Sequence, residues 1–242
     1  SVIFLYRFLL STVRFLGIAA AISFRTGDQM GFFLQGRSNC LLVFFCASGR
    51  CFSLKAEGLP SMRSQGEPVT KYIDTAGSPI DAVWLGTGDE KILIVTAAGC
   101  GFIVRFSDCV SKNKGGKAMI SFMEKDRVLP LRQIKNESRF IALVTLAGRL
   151  CVVAVEEVPL LKKGKGVRLC HILPKEFSDE EDACIFSTVL GTEDHLVIQS
   201  GRRSFTLKPQ QWQSYVELYI LSQQSRYDRE DNSYSNYQKV FV

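Results

Sequence analysis

Apolar residues in this chain come in pairs of short runs, with a glycine between the members of each pair. The clearest case is Phe140 to Gly166, FIALVTLAGRLCVVAVEEVPLLKKGKG. Phe140, Ala142, Val144 and Leu146 alternate there with further apolar residues, and Leu150 to Val155 is again apolar and β-branched. Two such runs across a tight turn at Gly148-Arg149 predict a β-hairpin. Val158-Pro159 ends the second strand, and Lys162-Lys163-Gly164-Lys165-Gly166 follows as a basic glycine loop. Glycine lets a backbone approach a partner closely, and lysine supplies a point charge for an anion.

The turn glycine recurs at Gly49, Gly99, Gly148 and Gly201, in steps of 50, 49 and 53 residues by subtraction. Each follows one apolar run and precedes another. Arginine comes next at Arg50, Arg149 and Arg202, with Cys100 in its place once. Pro60 and Pro159 stand at matching points of the first and third repeats, and Trp212 takes that place in the fourth. Glycine-bearing loops close three repeats: MRSQGEP at 62–68, KNKGGKA at 112–118 and KKGKGV at 162–167. A period of about 50 residues is that of a propeller-like array with one four-stranded blade per repeat. A single blade cannot cover both its faces, so its neighbours must. The expected fold is all-β: a propeller-like disc of about five four-stranded blades, four of them recognisable and an incomplete fifth drawn from residues 1–45.

The ends depart from the pattern. Residues 2–24, VIFLYRFLLSTVRFLGIAAAISF, are long enough to span a bilayer. Arg7 and Arg14 interrupt them, and a charge at the centre of a bilayer is costly. They also run longer than a signal h-region and have no clear cleavage site. The expectation is an atypical apolar lead-in over 1–25, buried or partly disordered, with membrane association as the lesser alternative. A domain over 26–212 follows, then a polar tail over 213–242 that lacks a strand pattern and has a disordered composition. Trp84 reads as a core anchor, and Glu176 to Asp182 as a solvated acidic connector.

Composition narrows the chemistry. The 242 residues are 46% hydrophobic, enough for a sizeable core. A net charge of +6 and a pI near 8.9 permit an anionic partner. None of the eight cysteines forms a CxxC, and most sit in apolar runs, where they read as reduced core residues. His171 and His195 are far apart in sequence, so a Cys/His zinc site has little support. The GGK at 115–117 is not a phosphate-binding P-loop, because Ser111 and Ala118 stand where glycine and Ser/Thr are needed. Gly99-Cys100-Gly101 fails as a dinucleotide fingerprint at Val104. No Ser/His/Asp set stands in a glycine elbow. Asp89-Glu90 and Glu156-Glu157 are neighbours that point to opposite strand faces and read as surface charge.

Several runs resemble, in order and spacing, the C-terminal domain of the A subunit of bacterial DNA topoisomerase IV, a relative of the gyrase A subunit. They are TGDQMGFFLQGRSN (26–39), SGRCFSLKAEGLPSMRSQGEPVT (48–70), AAGCGFIVRFSDCVSKNKGGKAMISF (97–122), AGRLCVVAVEEVPLLKKGKGVRLCHI (147–172) and LVIQSGRRSFTLKP (196–209). The resemblance implies a β-pinwheel, in which blades exchange strands. It also implies a basic rim that binds and bends duplex DNA and so helps the holoenzyme choose among DNA crossings. Ser64-Gln65-Gly66 and Lys162 to Gly166 are partial relatives of the gyrase signature heptapeptide. The implied partners are duplex DNA, the remaining domains of the A subunit and the B subunit of topoisomerase IV, in the bacterial cytoplasm at the nucleoid. No cofactor is expected in this chain, ATP and Mg belonging to the rest of the holoenzyme, and no catalysis by this chain alone.

The expected DNA contacts are Arg37, Arg50, Arg63, Lys71, Lys112, Lys114, Lys117, Arg149, Lys162, Lys163, Lys165, Arg168, Arg202 and Arg203, with the turn arginines as candidates for bracing blades instead. The rival readings are a propeller-type protein-interaction scaffold and a degraded gene fragment.

Overall fold

The computed structural model describes residues 2–7, 12–15, 29–35, 37, 39–59, 67–200 and 203–216. In chain order the elements are β1 (Val2–Arg7), β2 (Thr12–Phe15), β3 (Gln29–Gln35), β4 (Leu41–Cys46), β5 (Arg50–Lys55), β6 (Glu67–Pro68), β7 (Ile80–Gly86), β8 (Lys91–Val95), β9 (Cys100–Arg105), α1 (Phe106–Cys109), β10 (Lys117–Ala118), β11 (Arg132–Ile134), β12 (Phe140–Thr145), β13 (Leu150–Ala154), β14 (Val167–Arg168), α2 (Pro174–Ser178), β15 (Cys184–Leu190), β16 (Leu196–Ser200) and β17 (Arg203–Leu207). Residues 209–216 are helical.

The strands form small sheets ordered β3-β1-β2-β6, β10-β5-β4-β7, β11-β8-β9-β14, β13-β12-β15 and β16-β17. One rule generates the first three. A hairpin takes an outer strand from its own repeat on one side, as when β7 pairs β4. On the other side it takes a two-residue strand from the glycine loop of the next repeat. Thus β6 pairs β2, β10 pairs β5 and β14 pairs β9, all antiparallel. The residue after each short strand is a buried plug: Val69, Met119 and Leu169, at fifty-residue steps.

The turn glycine is the receiving half of this exchange. Gly49 and Gly99 have φ of 73° and 80°, which side chains resist. The Gly49 carbonyl accepts the N–H groups of both Met119 and Ile120 at 2.9 Å, and the Gly99 carbonyl those of Leu169 at 2.8 Å and Cys170 at 3.1 Å. A Cβ at Gly49 would overlap the Ile120 carbonyl, and one at Gly99 would lie 2.7 Å from that of Cys170. The loop glycines Gly116 and Gly166 have the same cause: a Cβ there would overlap the carbonyls of Cys51 and Gly101.

The chain divides into two compact units. The first comprises Ser1–Ile92, Val104–Phe122 and Leu161–Gly164, the second Leu93–Ile103, Met123–Leu160 and Lys165–Val242. The first has a core of Leu42, Phe44, Cys46, Phe52, Val69, Ile73 and Val83. In the second, β12 is covered on both faces. Ile141 and Leu143 pack with Leu169 and Cys170, while Ala142 and Val144 pack with Leu150, Val152 and Trp212. Burial of both faces is why this strand reads as a continuous apolar run instead of an apolar-polar alternation. Trp212 is fully buried, lies edge-on to Phe140 at 5.2 Å between ring centroids, and donates its Nε1–H to the Asp194 carbonyl at 2.8 Å.

Several expectations are corrected. The apolar lead-in contains a hairpin: β1 pairs β2 and β3, and β6 completes its sheet. The first sheet therefore ends at β3 and borrows residues 67–68, and Leu41–Cys46 belongs to the next sheet. Residues 8–11 and 16–28 lie outside the described residues, and among the described residues no helix is long and apolar enough to cross a membrane. The third hairpin's second strand stops at Ala154, where a 3-10 turn over Val155–Glu157 takes over before Val158-Pro159. Helix 209–216 carries the folded chain past Trp212. Glu90 is a brace instead of a surface charge, accepting from Trp84 Nε1 at 3.1 Å and Thr87 N at 2.9 Å. Finally, Cys151 and Cys170 are joined as a disulfide, with their Cα atoms 5.8 Å apart. The other six cysteines are free. Burial pushes the thiols of Cys46 and Cys184 up to about 12 and that of Cys51 to about 11, as befits inert core residues.

Candidate nucleic-acid interface

The exchange builds two exposed basic loops. Each of the two described glycine loops crosses from its own repeat to the preceding hairpin, and the lysines just before the short strand are exposed. Lys112 and Lys114 precede β10, and Lys162, Lys163 and Lys165 precede β14; all five side chains are exposed. Lysine on such a crossing keeps its charge in water and in reach of a large anion.

Within the first unit the two loops are stitched together. The Gly164 N–H donates to the Met119 carbonyl at 2.9 Å, the Ser121 N–H donates to the Gly164 carbonyl at 3.1 Å, and Ile120 and Gly164 form a parallel bridge. Lys162 and Lys163 are thus held by chain geometry against the segment that follows Lys112 to Lys117.

The remaining expected contacts divide. Arg37 and Lys71 are exposed, with Lys71 Nζ 5.8 Å from the centre of the Tyr72 ring. Arg168 is exposed on β14, and its Nη1 lies 3.1 Å from His171 Nδ1. Three candidates have internal partners, as the bracing alternative expected of the turn arginines. Lys117 is half-buried and donates from Nζ to the Asp108 carbonyl. Arg50, although exposed, spends its guanidinium on the Gly115 and Gly116 carbonyls. Arg149 is mostly buried and donates to the His171 carbonyl at 3.0 Å and to Glu176 Oε2 at 2.9 Å, with Asp182 Oδ2 at 3.2 Å completing an ion-pair group. Arg63 and Arg202 lie outside the described residues, and so does the side chain of Arg203.

The acidic connector is half structural as well. Glu176 caps α2 by accepting the Leu173 N–H at 3.2 Å, and buried Asp182 accepts the N–H groups of Ala147 at 2.8 Å and Ala183 at 3.0 Å. Burial alone would raise the Glu176 carboxyl. The Arg149 hydrogen bond, the Leu173 N–H and the nearby charges of Arg149 and His171 outweigh it and hold the group below its ordinary value.

The solved C-terminal domain of Escherichia coli ParC matches the chain with a TM-score of 0.77 and 32% identity, covering 88% of each chain. The chain belongs to the family of the topoisomerase IV A subunit. Its fold is the β-pinwheel of the C-terminal domain in that family. The curated A subunit of DNA topoisomerase 4 from Escherichia coli (strain K12) is 34% identical over 196 residues, 81% of this chain and 26% of the relative. The chain therefore spans about a quarter of the length of the curated relatives it matches. The solved C-terminal domain of DNA gyrase A, at 15% identity and a TM-score of 0.61, covering 86% of this chain and 71% of its own, shares the fold. No family model matches.

Two features of the site escaped sequence reasoning. Gly115 is open, with nothing within 4 Å of where a side chain would begin, whereas its neighbour Gly116 is packed; a GG pair gives no sign of that division. The partnership of Arg149 with Asp182 spans 33 residues by subtraction, and only the charge signs hinted at it.

Proposed function

We propose that this chain holds duplex DNA through its backbone phosphates and curves it, as the C-terminal DNA-binding domain of a type IIA topoisomerase, and so helps the holoenzyme select DNA crossings. The carrying observation is the pair of exposed lysine loops at the same step of successive repeats, in a chain of this family. Phosphate contacts position a duplex without reading bases, which suits an enzyme that must act on any sequence. Curving 20–30 base pairs by 40–90° costs about 1–6 kcal/mol, and about six charge-assisted phosphate contacts are enough to offset it. The expected partners are duplex DNA, the other domains of the A subunit and the B subunit, in the bacterial cytoplasm. ATP and Mg would be held elsewhere in the holoenzyme, and this chain performs no chemistry alone.

A titration at several salt concentrations tests the reading. If about six phosphates are neutralised, log K falls against log salt with a slope of about −5. An affinity indifferent to salt rejects it. Energy transfer between the labelled ends of a short duplex reads the curvature, and an unchanged signal at saturation rejects that part. Failure of generic duplex DNA to compete would favour a protein-interaction scaffold.

A further inference from the structure

We propose that Arg50 is a positioning residue for a phosphate seat at the Gly115 amide, flanked by Lys112 and Lys114; the proposal rests on the DNA-binding reading above. Arg50 donates from Nε to the Gly115 carbonyl at 2.9 Å, and from Nη2 to the carbonyls of Gly115 at 2.7 Å and Gly116 at 2.9 Å. Two backbone bonds complete the arrangement: the Asp74 N–H donates to the Lys114 carbonyl, and the Gly116 N–H donates to the Asn113 carbonyl, both at 3.0 Å. The carbonyls of four successive residues, 113 to 116, are therefore engaged within the first unit.

Carbonyl oxygens repel a phosphate and amide hydrogens attract it, so their direction decides what the loop can hold. In a planar trans peptide the N–H points opposite to the C=O. The Lys114 carbonyl faces Asp74, so the N–H of Gly115, which shares its peptide, faces away from Asp74. Nothing among the described residues stands within 4 Å of where a Gly115 side chain would begin. Gly115 is itself exposed, as are Lys112 and Lys114 just before it in the loop, so a phosphate oxygen can approach that amide with both charges in reach. Arg50 holds the two following carbonyls turned toward itself. Its planar fork is the feature that allows this, since an ammonium carries the charge without the geometry.

The neighbouring repeat lacks the device. Cys100 stands where Arg50 would be, and Lys165 where Gly115 would be, as the matching short strands β10 and β14 show. Among the described residues, the 162–166 loop therefore does not reproduce the seat of the 112–116 loop.

The test uses the whole chain, duplex DNA across a salt series, and a melting curve for each variant. Lys112→Ala with Lys114→Ala should weaken binding roughly tenfold or more and make the salt slope shallower by about 1.8. Arg50→Ala should weaken it roughly tenfold, and Arg50→Lys equally, although it keeps the charge. Arg50→Ala added to the two lysine changes should cost nothing more. Gly115→Ala should weaken binding severalfold with an unaltered melting temperature. Wild-type affinity in Arg50→Lys would make the residue a plain phosphate charge and overturn the proposal. So would a multiplied effect in the triple variant, or unaltered affinity in Gly115→Ala. If Arg50→Ala melts below the assay temperature, Arg50→Lys and Gly115→Ala still decide. Absence of salt-dependent binding by the wild-type chain sinks the DNA-binding reading itself, which none of the variant outcomes can do.

Discussion

Arg50 and Arg149 follow the same turn glycine in repeats of the same register, yet they do different work. Arg50 is exposed and meets only carbonyl oxygens. Arg149, with 23% of its side chain exposed, meets Glu176 and the almost fully buried Asp182. The two turns also differ one residue away. The residue before each turn glycine needs an acceptor for its N–H. In the first repeat Ser78 Oγ supplies it to Ser48 at 2.9 Å, and in the third Asp182 Oδ1 supplies it to Ala147 at 2.8 Å. A serine cap is neutral and leaves the arginine free for the loop. The aspartate cap in the third repeat buries a carboxylate, and Arg149 pairs it. The second repeat keeps the aspartate cap without the arginine, for Asp126 Oδ1 accepts the Ala98 N–H at 2.9 Å and Cys100 follows the glycine; the turn glycine dictates the backbone, and cap and next side chain are set repeat by repeat.

The largest effect should come from what the two turns share. Gly49→Ala forces a side chain to φ 73° and drives it into the Ile120 carbonyl, which should cost about 3–4 kcal/mol of stability. Denaturant melts give the figure, and a loss under about 1 kcal/mol would mean that the clasp yields. The second effect should separate the arginines. Arg149→Ala strands Asp182 and should cost about 3 kcal/mol, against less than about 1 kcal/mol for Arg50→Ala.

Acid sharpens the same contrast. Glu176 sits below its ordinary value of 4.5 in the folded chain. The stability it contributes is complete above that value and is lost as pH falls through the lower folded one. Arg149→Ala should flatten this acid dependence, and Arg50→Ala should leave it intact. The smallest stability effect belongs to the loops. Lys162→Ala, Lys163→Ala and Lys165→Ala together should change stability by no more than about 0.5 kcal/mol. They should weaken binding to all duplex sequences alike, with a salt slope shallower by about 0.9 for each phosphate left unneutralised. A collapsed melting temperature would make that loop structural.

The hairpins were legible because a glycine turn between two apolar runs has few other meanings, and Gly49, Gly99 and Gly148 all sit at positive φ. Residues 2–7 and 12–15 were not, because an apolar run broken by Arg7 and Arg14 shows no strand alternation and reads as a lead-in or, less readily, as an anchor. Strand exchange was legible only through family resemblance. The order of residues shows where Lys117-Ala118 lies, but only folding shows that it pairs with Arg50-Cys51. For the same reason the charges of Lys117, Arg50 and Arg149 looked available until their internal acceptors appeared.

The exchange also governs how the chain emerges during synthesis. β5 ends at Lys55 and its closing partner β10 begins at Lys117, while β9 ends at Arg105 and β14 begins at Val167, an interval of 62 residues in both cases by subtraction. At about 5–20 residues per second, each hairpin waits roughly 3–12 s for the strand that seals it. Through that interval a row of backbone groups lacks its native partner and can template a wrong one. In these two cases the edge of one repeat is closed by a strand of the next.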